Sequence, residues 1–179
     1  MNLTRETIDK LKEQYLEDDR PWVVTYSGGK DSTAVLHLVL AMLQELKKDK
    51  LDTKHCYVVS SDTAVEMPII EQYTKTRLRQ INEFAKTAGL KLSSHKLEPK
   101  IEQSFFTLML GLGYPAPTNT FRWCTERLKI NPATEFLKGL VNKHQSILML
   151  LGVRTDESAA RAASIESRIE NFRGLIMHQ

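Results

Sequence analysis

The apolar run Trp22-Val23-Val24-Thr25 leads straight into Tyr26-Ser27-Gly28-Gly29-Lys30-Asp31-Ser32-Thr33. It continues at once into Ala34-Val35-Leu36-His37-Leu38-Val39-Leu40. A strand, a glycine turn and a helix N-terminus in that order make an anion cradle. Backbone N–H groups of the turn and the positive end of the helix dipole point at one spot. Gly28 and Gly29 let the backbone approach a phosphate closely, and Ser27, Ser32 and Thr33 add hydroxyl donors. Lys30 supplies a mobile positive charge, and Asp31 completes the string. The spacing differs from G-x-x-x-x-G-K-[ST], because Lys30 follows the glycine pair directly.

The rest of the chain alternates in the same way. Residues 4–17 form an amphipathic pattern with Ile8, Leu11 and Tyr15 on one face, ended by Asp18-Asp19-Arg20-Pro21 ahead of a first strand at about 22–26. A helix is predicted over 31–48, apolar nearly all round, then a buried strand over 54–60. Pro68 sits in the first turn of a helix over 67–88, with Gly89 as its stop. Residues 90–95 alternate as a third strand. Residues 101–112 read as helical before Gly111, Gly113, Pro115 and Pro117 force a loop. Asn131-Pro132 reads as a cap and first-turn proline opening a helix to about 142. A fourth strand is predicted over 146–152 and a further helix over 157–169.

This alternation predicts an α/β fold: a parallel twisted sheet with helices on both faces, Rossmann-like, in one domain over residues 1–179. Ligands of such sheets sit beyond the carboxyl ends of the strands. Ser27–Ser32, Ser60–Thr63, the loop after the third strand's helix, and Gly152–Arg161 all fall there. No repeat, low-complexity stretch or linker interrupts the pattern.

Composition excludes other classes. No apolar run is long enough to cross a bilayer, and the first residues lack the layout of a signal peptide. Two cysteines, Cys56 and Cys124, make no disulfide framework, so a cytoplasmic, reducing location is expected. The formal net charge is +3. Residues 1–117 hold 16 basic and 16 acidic residues and residues 118–179 hold 9 and 6, so the whole surplus lies in the second part. That excess alone does not argue for nucleic acid.

Three further clusters carry chemistry. Ser60-Ser61-Asp62-Thr63 ends the second strand, where exposed backbone suits adenosine; Asp62 suits either a Mg²⁺ bridging ATP phosphates or an Asx-type turn. In Phe121-Arg122-Trp123-Cys124-Thr125-Glu126-Arg127-Leu128-Lys129, a lone thiol sits among Arg122, Arg127 and Lys129. Those cations favour the reactive thiolate and neutralise phosphate; the alternative is a structural Cys124 beside a solvated basic helix. Arg154 and Arg161 offer planar donors to a pyrophosphate leaving group, or else belong to an amphipathic helix start. Cys56 reads as core. Histidines 37, 55, 95, 144 and 178 show no metal-ligand spacing and read as structural.

The segments SGGKDST, VVSSDTAVEMP, GYPAP with FRWCTERLKI, and GVRTDESAAR resemble, in that order, the phosphoadenosine-phosphosulfate reductase branch of the PP-loop superfamily of ATP pyrophosphatases. Within it the chain looks most like the DndC-type subunit of bacterial DNA phosphorothioation systems, to which the SspD subunit is related. The resemblance spans about residues 20–165. It implies an adenine nucleotide α hydrolase-like fold and cleavage of ATP between the α and β phosphates. It also implies adenylation of the DNA backbone phosphate, and replacement of a non-bridging oxygen by sulfur in a modification coupled to defence. The implied partners are DNA, a cysteine desulfurase as persulfide donor, and other phosphorothioation subunits; no membrane is implied, and a homodimer fits the family.

Carried over by position, Ser27–Thr33 hold the triphosphate, Ser60 and Asp62 lie by the nucleotide, and Arg154 and Arg161 match the arginine motif. Cys124 matches the cysteine of the Arg-Trp-Cys-Thr motif. One departure stands out: DndC-type proteins are longer and are thought to carry an iron–sulfur cluster, which usually needs four thiolates. With two cysteines this chain is expected either to be a shorter member without the cluster or to lack a C-terminal extension. Two other readings compete: a sulfate-assimilation enzyme of the PAPS reductase or ATP sulfurylase type, and a non-catalytic nucleotide-binding module of a partner complex. Residues 125–179 contain no cysteine, which counts against a reductase.

Overall fold

A computed structural model of the protein describes residues 2–154. Helix α1 (Leu3–Glu17) starts where the Asn2 side chain accepts a hydrogen bond from the Thr4 N–H at 3.2 Å. It leads to strand β1 (Trp22–Thr25), helix α2 (Lys30–Lys48) and strand β2 (Cys56–Ser61). Helix α3 (Pro68–Ala88) opens on its proline and closes on Gly89, whose φ of 64° gives the left-handed turn that a helix stop requires. Strand β3 (Leu92–Leu97) follows.

The four strands form one parallel sheet in the order β3-β2-β1-β4, with Val23 opposite Tyr57 and Met149. The predicted α/β fold with helices on both faces is what is observed. Ile8 and Tyr15 of α1, the Leu36/Val39/Met42/Leu43/Leu46 stripe of α2 and Leu78 and Ala85 of α3 pack with Trp22, Val24, Cys56 and Val58 on one face. On the other, α5 (Asn131–His144) sets Leu137 and Leu140 against Val23 and Val59. The Tyr15 hydroxyl donates to the Lys54 carbonyl at 2.9 Å and accepts from its N–H at 3.0 Å, which ties α1 to the start of β2.

Several expectations need correction. Helix α2 is not apolar all round in its setting: Ala34 and His37 face solvent, because only the stripe that meets the sheet and α1 is covered. The third strand lies two residues later than read, at the sheet edge, and buries only its end residues Leu92 and Leu97. Residues 101–112 form a 3₁₀ turn (Ile101–Gln103) and a π turn (Thr107–Gly111). Asn131 is not a cap. The helical run begins earlier, with the turn α4 (Trp123–Thr125) and a π turn (Glu126–Ile130) that enters α5 with Ile130 already helical. Strand β4 is short, Leu148–Leu150. The helix expected at 157–169 lies outside the described residues.

Strand order places the chain reversal of the sheet between β1 and β4, and the turns that leave these two strands meet there. In doubly wound sheets the crevice at such a point is where ligands bind.

Candidate nucleotide site

The turn after β1 folds as a ring of short polar contacts. Gly28 takes a φ of 76°, which side-chain-bearing residues rarely adopt, and Gly29 caps α2 in an extended conformation. The Ser32 hydroxyl accepts from the Ser27 N–H at 3.2 Å, lies 3.0 Å from the Ser27 hydroxyl and donates to the Gly29 carbonyl at 3.0 Å. Thr33 donates to the same carbonyl at 2.7 Å. The Gly29 carbonyl thus accepts from both hydroxyls and from the Thr33 N–H at 3.0 Å. Lys30, the first helical residue, is exposed.

Gly152, just after β4, holds the loop from the side. A Cβ added there would lie 2.8 Å from the backbone C and O of Asp31 and from the Ser32 N, so no other residue fits without moving the loop. Two residues on, Arg154 donates through Nε to Asp31 Oδ2 at 3.2 Å. Arg154 therefore reaches the cradle by way of Asp31. Arg161, paired with it in the sequence reading, lies outside the described residues.

A cavity of about 360 Å³ opens at the carboxyl ends of the strands. Ser27 and Ser32 form its loop wall and Ser60 and Ser61 the end of β2. Val59, Leu97, Ala133, Leu137, Met149 and Leu151 give it an apolar floor, and Lys129 is the lysine or arginine on its rim among the described residues. A polar wall of backbone and hydroxyl donors beside an apolar slot suits a molecule with a phosphate end and a flat apolar body. The chain thus fits a nucleotide.

Asp62 does not line this cavity. Its Oδ1 accepts from the Ala64 N–H at 2.8 Å, the geometry of an Asx-type turn, and its Oδ2 pairs with Lys96 at 3.1 Å. Burial works against its charge, but the Ala64 N–H and the Lys96 ammonium outweigh it and hold the carboxyl below its ordinary range. Both oxygens already have partners and a cation stands beside them, so the Mg²⁺ role considered for Asp62 is not supported. Among the described residues no cluster of three His, Cys, Asp or Glu side chains is placed to hold a metal.

The basic segment is split. Arg122 and Cys124 line a shallow depression with Pro117, Thr118, Asn119 and Thr125, away from the cavity, and the Arg122 Nε donates to the Asn119 carbonyl at 3.1 Å. Arg127 is half-buried on the intervening turn. The segment is anchored by Trp123, which stacks on Phe105 at 5.5 Å, meets Tyr114 edge-on and donates to the Pro115 carbonyl at 2.9 Å. Cys56 is core, as read, and burial pushes its thiol up to about 12. Cys124, by contrast, is half-buried.

Some site residues escaped the sequence reading. Gly152 was placed in a motif, but its close approach to Asp31 was not foreseen; an isolated glycine leaving a strand is a signal of that kind. Ile70 and Thr74, which line the cavity, and Tyr73 and Arg77, which lie beside the loop, project from one side of α3 at helical spacing.

Residues 21–177 match the model of the phosphoadenosine phosphosulfate reductase domain. The chain is 29% identical over 161 residues to an uncharacterized protein of Methanocaldococcus jannaschii, covering 90% of this chain and 28% of the other. It is 29% identical over 175 residues to sulfate adenylyltransferase subunit 2 of Sulfurimonas denitrificans, covering 96% and 46%. The chain thus spans less than half the length of these two relatives. A crystal structure of phosphoadenylyl-sulfate reductase from Candida auris, a phosphate complex, aligns with a TM-score of 0.44 at 19% identity, over 86% of this chain and 70% of that one.

Proposed function

This chain belongs to the phosphoadenosine phosphosulfate reductase domain family, and from that premise we propose that it cleaves ATP between the α and β phosphates and passes the adenylyl group to an oxyanion. The observation that carries the reading is the pairing of the 26–33 loop with the apolar slot at the crevice between β1 and β4. The loop amides and hydroxyls take the β and γ phosphates, and Lys30 neutralises their charge. An oxygen of the acceptor attacks the α-phosphorus in line, the bond to the bridging oxygen breaks, and pyrophosphate leaves with the electron pair towards the loop. Val59, Leu97, Leu137 and Leu151 exclude water around the base.

The acceptor proposed is the DNA backbone phosphate, activated for sulfur incorporation, with a cysteine desulfurase as donor. Support comes from the split basic segment: Arg122 and Cys124 lie outside the cavity on an open face, while Lys129 reaches its rim. A polymer crossing that face would present one phosphate to the cavity and others to the arginines. Sulfate is the second reading, favoured by the relative named sulfate adenylyltransferase subunit 2. The test is to measure the products of ATP turnover by the purified chain, with DNA and with sulfate in turn. Pyrophosphate release stimulated by DNA supports the first acceptor, stimulation by sulfate the second. Orthophosphate as product, or ATP binding without turnover at any acceptor, refutes α–β cleavage by this chain.

A further inference from the structure

The 26–33 loop is also backed by a side chain that takes no part in the nucleotide cavity. Tyr73, on α3, lies against Gly28: a Cβ built on Gly28 would meet the ring at 3.3 Å from Cε1 and 3.8 Å from Cδ1. The Arg77 guanidinium sits 5.0 Å from the centre of the same ring and bonds onward to Gln80 at 3.0 Å. Tyr73 lines a different cavity, of about 460 Å³ between α2 and α3, together with Tyr26, Thr33 and Arg77. Tyr26 lines both cavities.

We propose that Tyr73, steadied by Arg77, is a positioning residue that holds Gly28 in its left-handed conformation and so presets the loop amides for a phosphate chain; this rests on the nucleotide reading above. The physical reason lies in Gly28 itself. A glycine has more backbone conformations than any other residue and loses them all when the loop closes on a ligand. A flat ring packed where a Cβ would otherwise point removes many of those conformations before the ligand arrives, and preorganisation of that kind appears as affinity. Tyr73 is 41% exposed and stands outside the buried core, and melting each variant without ligand separates its effect on binding from its effect on folding.

The test is calorimetric titration of wild type, Tyr73→Ala, Tyr73→Phe and Arg77→Leu with inorganic pyrophosphate and with ATP, each variant also melted without ligand. Tyr73→Ala is expected to bind both ligands about tenfold more weakly at an unchanged melting temperature. In steady-state turnover the loss should fall on KM rather than kcat. Tyr73→Phe keeps the ring and should stay within about twofold of wild type, with Arg77→Leu between the two. Unchanged pyrophosphate affinity in Tyr73→Ala overturns the proposal, as does an equal loss in the phenylalanine and alanine variants. If Tyr73→Ala does not fold, Tyr73→Leu, which fills space without a flat ring, gives the same answer. Wild type that binds pyrophosphate but releases none from ATP sinks the proposed function and leaves the positioning role standing. Wild type that binds neither sinks both.

Discussion

The loop at 26–33 and the segment at 113–130 are both rich in groups that handle anions, yet they are held in different ways. The loop is closed by short contacts of its own hydroxyls, Ser32 and Thr33 on the Gly29 carbonyl, and locked by backbone, where Gly152 packs onto Asp31 and Ser32 with no room for a Cβ. The segment is fixed by one side chain, Trp123, which is 6% exposed between Phe105 and Tyr114 while its neighbours Arg122 and Thr125 face solvent. Backbone packing leaves a site one geometry. Side-chain anchoring leaves the flanking residues free to meet a partner of varied shape.

Substitutions can break this contrast. The largest effect is expected at Lys30→Ala, which should abolish pyrophosphate release while the melting temperature stays put, because Lys30 is exposed; turnover near wild-type rates would refute the loop assignment. Gly152→Ala comes next. Its Cβ must displace backbone, and ATP affinity should fall by roughly tenfold to a hundredfold with a loss of about 1–3 kcal/mol in stability, read by titration and denaturant unfolding. Trp123→Ala should cost about 3 kcal/mol of stability, the scale for removing a buried indole. Its ATP affinity should fall less than about fivefold, since only Lys129 of that segment reaches the cavity. A larger loss of binding would erase the distinction between the two regions.

A smaller effect is expected from pH. Burial holds His55 below its ordinary pKa, helped by His95, Lys143 and His144, and burial does the same for His95. The unfolded chain therefore takes up protons near pH ~6.5 while the folded chain does not, so stability drops as pH falls below that value. The depressed carboxylates of Asp18 and Glu45 lose their contribution only further down, as pH falls below about 4. Melting curves from pH 7.5 to 5 should show the first decline, and a His55→Gln, His95→Gln variant should flatten it. ATP turnover should be least affected by Cys124→Ser, because Cys124 lies outside the cavity: pyrophosphate release should stay within about twofold of wild type, and its loss would make Cys124 a structural residue.

Local chemistry made the first half of the chain legible. Gly29, Pro68 and Gly89 punctuate the helices by rules that act within a few residues, and α1 to α3 begin and end within about one residue of where they were read. From residue 90 on, the outcome depends on distant partners. The π turns at 107–111 and 126–130 place Leu108, Leu128 and Trp123 inward together, which no local periodicity encodes. In the site, the glycine loop was readable from its string. The contacts that make it rigid, Gly152 on Asp31 and Tyr73 on Gly28, join residues far apart in sequence and were not.

The π turn at Glu126–Ile130 passes into α5 without a break. Such a turn is an α-helix carrying one surplus residue, and each residue advances a helix by about 100° around its axis. The run from Trp123 to His144 therefore holds two faces at a fixed phase: Trp123 turned to Phe105 and Tyr114, and Ala133 and Leu137 turned to the cavity floor. Deleting any single residue between 126 and 130 would remove the surplus and leave a plain α-turn with the two faces still in phase, whereas adding one more would rotate one face by about 100° against the other. In this stretch the number of residues is as much a determinant of the site as their identity.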